Sequence, residues 1–159
     1  MFFKRKDYIC DMKELKIEIP YKVFSIDELK VEDQLLIQAA REATSRSYAP
    51  YSHFHVGAAA MLENGIIVSG TNQENVASPS GLCAERTAFV KALSEGEREF
   101  SYIVVVGGYK DNPILDNCMP CGYCRQFMNQ YVDNEFRIYT CFGENNEINE
   151  YTMNDLLPH

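Results

Sequence analysis

The sequence contains no run of about 18 consecutive apolar residues, the length that a helix needs to cross a bilayer. Its 159 residues include only 15 basic side chains against 23 acidic ones, which gives a formal net charge of −8. Proteins that bind nucleic acid normally carry a basic face, because Lys and Arg neutralise the phosphates. Internal repeats and low-complexity segments are also missing. We therefore expect no membrane span and no nucleic-acid partner, and we favour small molecules over polymers as ligands.

The N-terminal segment MFFKRKDYICDMK lacks the apolar stretch of a secretory signal peptide, so we expect a cytoplasmic protein. An even number of cysteines can indicate disulfides, but that pattern belongs to short secreted chains without a good core. Here 46% of the residues are hydrophobic, which is ample for a core. In a reducing compartment, closely spaced cysteines more often bind a metal or carry redox chemistry. The six cysteines are Cys10, Cys83, Cys118, Cys121, Cys124 and Cys141.

Hydrophobic periodicity divides the chain into an N-terminal extension, residues 1–30, and one domain, residues 31–159. In the extension, Ile17 and Ile19 predict a short strand or extended arm, and Ser25 with Glu28 has the spacing of a helix capping box. The remaining predicted elements are helices over 31–47, Leu82–Leu93 and 121–132, strands over Val56–Leu62, Ile66–Thr71, Tyr102–Val106 and Arg137–Phe142, and a strand-to-helix segment over Tyr151–Leu157. Strands that alternate with helices after an initial hairpin predict an α/β sandwich around one mixed sheet.

The segment Cys121-Gly122-Tyr123-Cys124 can chelate a metal or form a redox dithiol, and its spacing alone does not decide between them. Cys83 favours the metal, since it adds a third thiolate at another predicted helix start. Three protein ligands leave zinc's fourth tetrahedral position open for a water, whose pKa the metal lowers. Glu85 lies two residues from Cys83 and is placed to move that water's proton. Arg86 is placed to offset the negative charge of three thiolates.

These residues lie in segments that strongly resemble the small zinc-dependent cytidine deaminases, from about Ala39 to Pro158. The matching segments, all in family order, are YAPYSHFHVGAAAML, GTNQENVAS, GLCAERTAFVKALSEGE, PCGYCRQ and NDLLP. The resemblance implies a three-layer cytidine-deaminase-like sandwich with one mixed sheet flanked by helices, and one zinc ion per chain. It implies that Cys83, Cys121 and Cys124 are the zinc ligands, that Glu85 is the general acid and base, and that Arg86 compensates the charge.

The same resemblance implies a substrate and its contacts. The reaction is hydrolytic deamination of cytidine or deoxycytidine to uridine or deoxyuridine, in pyrimidine salvage. Phe54 matches the residue that packs against the pyrimidine ring, and Asn72 and Glu74 match the pair that binds the ribose hydroxyl. Family members of this size form homotetramers with shared active sites, so we expect a homo-oligomer, with a tetramer favoured over a dimer.

Two departures from the family pattern leave other hypotheses open. Ser78 stands where members usually carry a Tyr, and the sequence has no Phe after the LLP segment. Both aromatic residues belong to pocket walls, so a modified cytosine nucleoside or a blasticidin-like substrate is an alternative. A zinc-stabilised binding protein without catalysis, and a redox dithiol protein, are further alternatives, although Glu85 and Cys83 respectively argue against them. Cys10, Cys118 and Cys141 receive no role.

Overall fold

The computed structural model describes residues 16–109, 117–143 and 147–158, and Cys10 lies outside these ranges. The described chain forms six strands and four α-helices, with 3-10 turns at Ile26–Glu28 and Ser78–Ser80. The strands are β1 (Lys22–Phe24), β2 (Phe54–Leu62), β3 (Ile67–Thr71), β4 (Phe100–Tyr109), β5 (Arg137–Phe142) and β6 (Glu147–Thr152). The helices are α1 (Val31–Thr44), α2 (Ala84–Ser94), α3 (Gly122–Met128) and α4 (Met153–Leu156). No helix among the described residues is both long and apolar enough to span a bilayer.

The strands form one mixed sheet in the order β1-β6-β5-β4-β2-β3, which confirms the predicted α/β class. Only β4 and β5 run parallel, and the other neighbours are antiparallel. The predicted hairpin joins β2 to β3, where Gly65 takes a φ of 82° that favours glycine over other residues. The amide of Gly65 also donates a hydrogen bond to the carbonyl of Leu62, which closes the turn.

Both faces of the sheet are covered by helices, so the predicted three-layer arrangement is present. On one face, α1 packs its apolar side through Leu36, Ile37 and Ala40 against alternate residues of β2, β4 and β5. On the opposite face, α2 contributes Ala84, Phe89 and Ala92, together with Met128 of α3. The alternation of strand residues between two buried clusters explains why β4 reads as a continuous apolar run.

The N-terminal extension contributes to the sheet, although not at the predicted place. Residues 17–19 form no regular element, whereas Lys22–Phe24 pair with β6 as an edge strand. The capping box of Ser25 and Glu28 is present at the following 3-10 turn, and both the Ser25 amide and its hydroxyl donate to the Glu28 carboxylate. Three residues of the extension thus belong to the sheet of the domain. The division of the chain between residues 30 and 31 stays a prediction.

The predicted helix over 121–132 is too long, because α3 ends at Met128 and the chain then turns. The predicted strand at Tyr151 begins four residues earlier, at Glu147. β6 has the polar sequence EINEYT, and its pairing partners β5 and β1 supply the register that local propensity does not.

Two glycines allow helices to approach the sheet closely. A Cβ on Gly57 would overlap the carbonyl oxygen of Ala40 in α1, and a Cβ on Gly70 would overlap backbone atoms of Ala84 and Ala88 in α2. Because the obstructing atoms belong to the helix backbone, no side-chain rotation would relieve either overlap. Gly70 therefore sets the distance at which the first turn of α2 lies on β3.

We expect Gly70→Ala to lower the free energy of unfolding by about 3 kcal/mol, the upper end of the usual cost of overpacking. Urea denaturation of the metal-free protein measures the change. Gly122→Ala is the matched control, because no atom lies within 4 Å of a Cβ built there. Equal midpoints for the Gly70 and Gly122 variants would contradict this account of the α2 contact.

Candidate active site

Three cysteine sulfurs meet where α2 and α3 begin. Cys83 is the N-cap of α2, Cys121 is the N-cap of α3, and Cys124 lies in the first turn of α3. The Sγ atoms of Cys83 and Cys121 are 3.8 Å apart, and those of Cys121 and Cys124 are 3.5 Å apart. All three sulfurs lie within 4.8 Å of one another. The structure therefore brings the two sequence motifs together into one cluster.

The geometry of this sulfur cluster fits a tetrahedral zinc ion. Zinc binds thiolate at about 2.3 Å, so sulfurs at tetrahedral corners lie about 3.8 Å from one another. The two Sγ distances, 3.5 and 3.8 Å, are close to that value. Cys118 is not a member of the cluster among the described residues. Three sulfurs leave one coordination position open, which is the arrangement of catalytic rather than structural zinc sites.

The neighbours of Cys83 favour its thiolate form. A hydrogen bond from Cys124 and the adjacent Arg86 guanidinium lower the pKa of Cys83 to about 5, although partial burial acts against them. The N-terminus of α2 favours negative charge at the same position. Zinc binds the thiolate form of cysteine, so these contacts favour Cys83 as a zinc ligand.

Glu85 is an acidic side chain that is buried beside the sulfurs. Its exposed fraction is 3%, and it lies in the first turn of α2. Burial raises the pKa of Glu85 to about 7, and the nearby charge of Cys83 adds to the effect. A carboxyl group with a pKa near neutrality can both accept and return a proton, as a general acid and base must.

Arg86 is half-buried, and its guanidinium interacts with the sulfurs of Cys83 and Cys124. Its Nη2 atom donates a hydrogen bond to the carbonyl oxygen of Gly81 at 2.9 Å, and its guanidinium lies 4.5 Å from the centre of the Tyr123 ring. Its Nε atom is buried and has no hydrogen-bond partner among the described residues. The guanidinium is therefore held in place beside the thiolates. Its Nε donor is available to offset their negative charge.

A cavity of about 770 Å³ opens over the sulfurs and Glu85. Its wall includes Asn72 and Glu74, two of the predicted substrate-binding residues, and also Ser78, where the family pattern has an aromatic residue. Cys83, Cys121, Glu85 and Arg86 line the same space. A small molecule in this cavity would thus contact the metal cluster, the buried carboxyl group and the predicted sugar-binding pair together.

Asn72 and Glu74 are both fixed by backbone hydrogen bonds. The Asn72 amide accepts from the Val56 N–H at 2.8 Å and donates to the Phe54 carbonyl at 2.9 Å. The Oε2 atom of Glu74 accepts from the N–H groups of Tyr51 and Ser52 at 2.8 and 3.3 Å. Hydrogen bonds from Ser52 and Tyr51 lower the pKa of Glu74, so it stays ionised. The sequence alone did not indicate that both side chains also hold the wall of the cavity together.

Phe54 lies at the start of β2 and is not part of the described cavity wall. Its ring contacts Tyr109 edge-on, with centroids 5.2 Å apart and planes at 84°. A Cβ on Gly107 would lie 2.7 Å from the Phe54 ring, so the glycine makes room for this side chain. Phe54 therefore packs on the sheet beside the cavity, and its contact with a pyrimidine stays a prediction.

Several cavity residues were not identified from the sequence. Cys118 and Met119 line the space from the loop before α3, and Gln73 lines it beside Asn72. Cys118, to which the sequence assigned no role, is thus a cavity residue, whereas Cys141 is buried in the α1 face of the sheet. Among these three residues, only Gln73 could have been found from the sequence, because it lies between the predicted substrate-binding residues Asn72 and Glu74.

Comparison with known proteins places this site in a family. A model of the cytidine and deoxycytidylate deaminase zinc-binding region matches residues 30–140, which is more than two-thirds of the chain. The chain belongs to that deaminase family. A cytidine deaminase of Halalkalibacterium halodurans is 40% identical over 129 residues, which cover 80% of this chain and 92% of that protein. One of Sporosarcina psychrophila is 40% identical over 123 residues, 77% of this chain and 86% of that protein.

Solved structures give the same family. The crystal structure of a cytidine deaminase from Burkholderia pseudomallei has a TM-score of 0.68 and 38% identity, covering 78% of this chain and 94% of that one. The structure of the Mycobacterium leprae cytidine deaminase has a TM-score of 0.67 and 33% identity, covering 82% and 100% of the two chains. Membership in a zinc-binding deaminase family, together with the fitting sulfur cluster, makes zinc the cofactor of this protein.

Proposed function

We propose that the protein catalyses the hydrolytic deamination of cytidine and deoxycytidine to uridine and deoxyuridine, as part of pyrimidine salvage. The observation that carries the proposal is the buried carboxyl group of Glu85 beside the three-sulfur cluster, at a cavity that Glu85, Cys83 and Cys121 line. Relatives named cytidine deaminase, at 40% identity over most of the chain, support the same reaction. A purely structural zinc site would have no use for a buried, protonatable carboxyl group.

Each site residue has a defined task in this reaction. Cys83, Cys121 and Cys124 would hold zinc, which supplies a water of lowered pKa when it is bound. Glu85 accepts a proton from the attacking water as its oxygen bonds to C4 of the cytosine ring. Glu85 then returns that proton to N3. It takes the second proton from the hydroxyl group now on C4 and passes it to the amino group, so that the C4–N bond breaks and ammonia leaves. Arg86 offsets the excess negative charge of the sulfurs.

The direct test is incubation of the zinc-loaded protein with cytidine, with ammonia release and loss of the cytosine absorbance band as readouts. We expect stoichiometric uridine and ammonia. Zinc-loaded, folded protein that turns over neither cytidine nor deoxycytidine would exclude the proposal. Free cytosine is the matched control, since it lacks the sugar that Asn72 and Glu74 are proposed to recognise.

The sugar contact gives a further prediction. We expect Glu74→Gln to raise KM for cytidine about tenfold with little change in kcat, because it weakens one charge-assisted hydrogen bond. Steady-state kinetics at saturating zinc separates the two constants. Glu63→Gln, at the exposed hairpin turn, is the matched control and should leave both constants unchanged. A KM within twofold of the parent value would remove Glu74 from the sugar site.

A wider substrate range is a second candidate, because the polar Ser78 lines the cavity where an aromatic wall is expected. Losing one aromatic contact costs about 1 kcal/mol, which weakens nucleoside binding but opens space for a larger group. A panel of base-modified cytosine nucleosides and blasticidin-like compounds tests this candidate. Rates that fall with every added group would reject it.

We also propose that the protein is a cytoplasmic homo-oligomer, with a tetramer favoured. The exposed apolar side chains beside the cavity, Tyr51, Val76 and Leu82, support association of chains near the site. The cluster of Cys83, Cys121 and Cys124, which would bind a metal as thiolates, supports a reducing compartment. Light scattering of the purified protein measures the state, and a stable monomer would contradict the oligomer.

A further inference from the structure

The guanidinium of Arg125 holds two backbone carbonyls from different parts of the chain. Its Nε atom donates to the carbonyl oxygen of Pro120 at 2.7 Å, and its Nη1 atom donates to that of Leu156 at 2.9 Å. Both bonds are partly buried and carry a positive donor, which makes them stronger than neutral hydrogen bonds. The planar fork of arginine suits two acceptors in fixed directions.

The first carbonyl lies next to a sulfur of the cluster. Pro120 immediately precedes Cys121, and the backbone N–H of Arg125 also donates to the carbonyl of Cys121 at 3.0 Å. Cys121 is exposed, so packing in the core does not fix its position, whereas Cys124 is fully buried. The hydrogen bonds of Arg125 therefore hold the backbone on either side of the exposed Cys121.

The second carbonyl belongs to α4, which is itself firmly anchored. Met153 and Leu156 are buried in the core, and a capping box between Thr152 and Asp155 fixes the start of the helix. Arg125 thus joins the segment that carries two sulfurs to a helix that is packed against the sheet.

We propose that Arg125 is a positioning residue that fixes Cys121 for zinc binding by tying its loop to α4. The inference rests on the zinc site of the proposed function. It predicts that zinc affinity depends on a residue that touches neither zinc nor substrate. Outer partners of metal ligands typically contribute 10–100-fold to affinity.

We expect Arg125→Gln to raise the zinc dissociation constant about tenfold, measured by competition with a fluorescent chelator, and to shrink the rise in Tm that zinc produces. A merely structural arginine would lower the Tm of the metal-free protein but leave the dissociation constant unchanged. Arg125→Lys keeps the charge and one donor direction, so it should fall between the parent and Arg125→Gln. Amide exchange over residues 153–157 should speed up in Arg125→Gln, since α4 loses its link.

Arg98→Gln is the matched control, because Arg98 also donates to two carbonyls, those of Leu93 and Glu97, but follows the C-terminal end of α2, whereas the sulfurs lie at its N-terminal end. A parent-like dissociation constant in Arg125→Gln, or equal weakening in Arg98→Gln, would overturn the proposal. If Arg125→Gln does not fold, Arg125→Lys decides, and parent-like zinc affinity there overturns it as well. Failure of the proposed function would look different, as a parent protein that binds zinc but does not deaminate cytidine.

Discussion

Replacing Glu85 with glutamine should lower kcat for cytidine by about 10³-fold while leaving zinc bound. The amide has the size of the carboxyl group but can neither accept the proton of the attacking water nor return it, and general acid–base catalysis is typically worth 10²–10⁴-fold. Glu85 is buried, so bulk water has poor access to take over the proton transfer. The three sulfurs are untouched by the change, and the metal should stay.

Steady-state kinetics together with metal analysis of the same sample checks this result. Glu95→Gln is the matched control, because Glu95 caps the other end of the same helix, α2, and is exposed. We expect that variant to keep the parent kcat and one zinc per chain. A Glu85→Gln protein that retains more than about a tenth of the parent kcat would assign the proton transfer to another group.

The elements that the sequence predicted well are those whose signals are local. The Asn64-Gly65 turn between apolar runs predicts a hairpin through backbone chemistry alone, and the hairpin is present. β5 has the predicted bounds, since β-branched and aromatic residues fill it. The predicted positions of β6 and β1 were wrong, because β6 is mostly polar and β1 has only three residues. Both strands exist by pairing with partners that the sequence pattern does not identify.

In the candidate site, too, the sequence predicts the features that depend on local signals and not those that depend on packing. The cysteine motifs and the adjacent Glu85 predict the chemical groups of the site. The structure brings the three sulfurs together and places Glu85 on the wall of the same cavity. Their electrostatics could not be predicted, because the burial that raises the pKa of Glu85 depends on how the folded chain packs around the start of α2. Likewise, the position of Phe54 depends on space left by Gly107, a residue distant in sequence and without chemical signal.

The cavity wall combines binding and support in the same side chains. Asn72 bridges the backbone at Phe54 and Val56, and Glu74 accepts from the backbone at Tyr51 and Ser52. These bonds fix the two polar groups before a ligand arrives, so less conformational freedom is lost on binding. Resemblance assigned both residues to sugar recognition, and only the structure reveals that they also shape the site.

Replacing Cys121 with serine should abolish both zinc binding and deamination. Serine keeps a side chain suited to the N-cap of α3, so the fold should survive, but it offers no thiolate. With two sulfurs left, we expect zinc affinity to fall by more than the 10–100-fold typical of losing an outer partner. Metal analysis should then give almost no zinc per chain.

Cys118→Ser is the matched control, because Cys118 lines the cavity outside the three-sulfur cluster, and this variant should keep full zinc. Zinc loss in both variants would instead indicate four thiolates, a closed site without the open position that the proposed reaction requires.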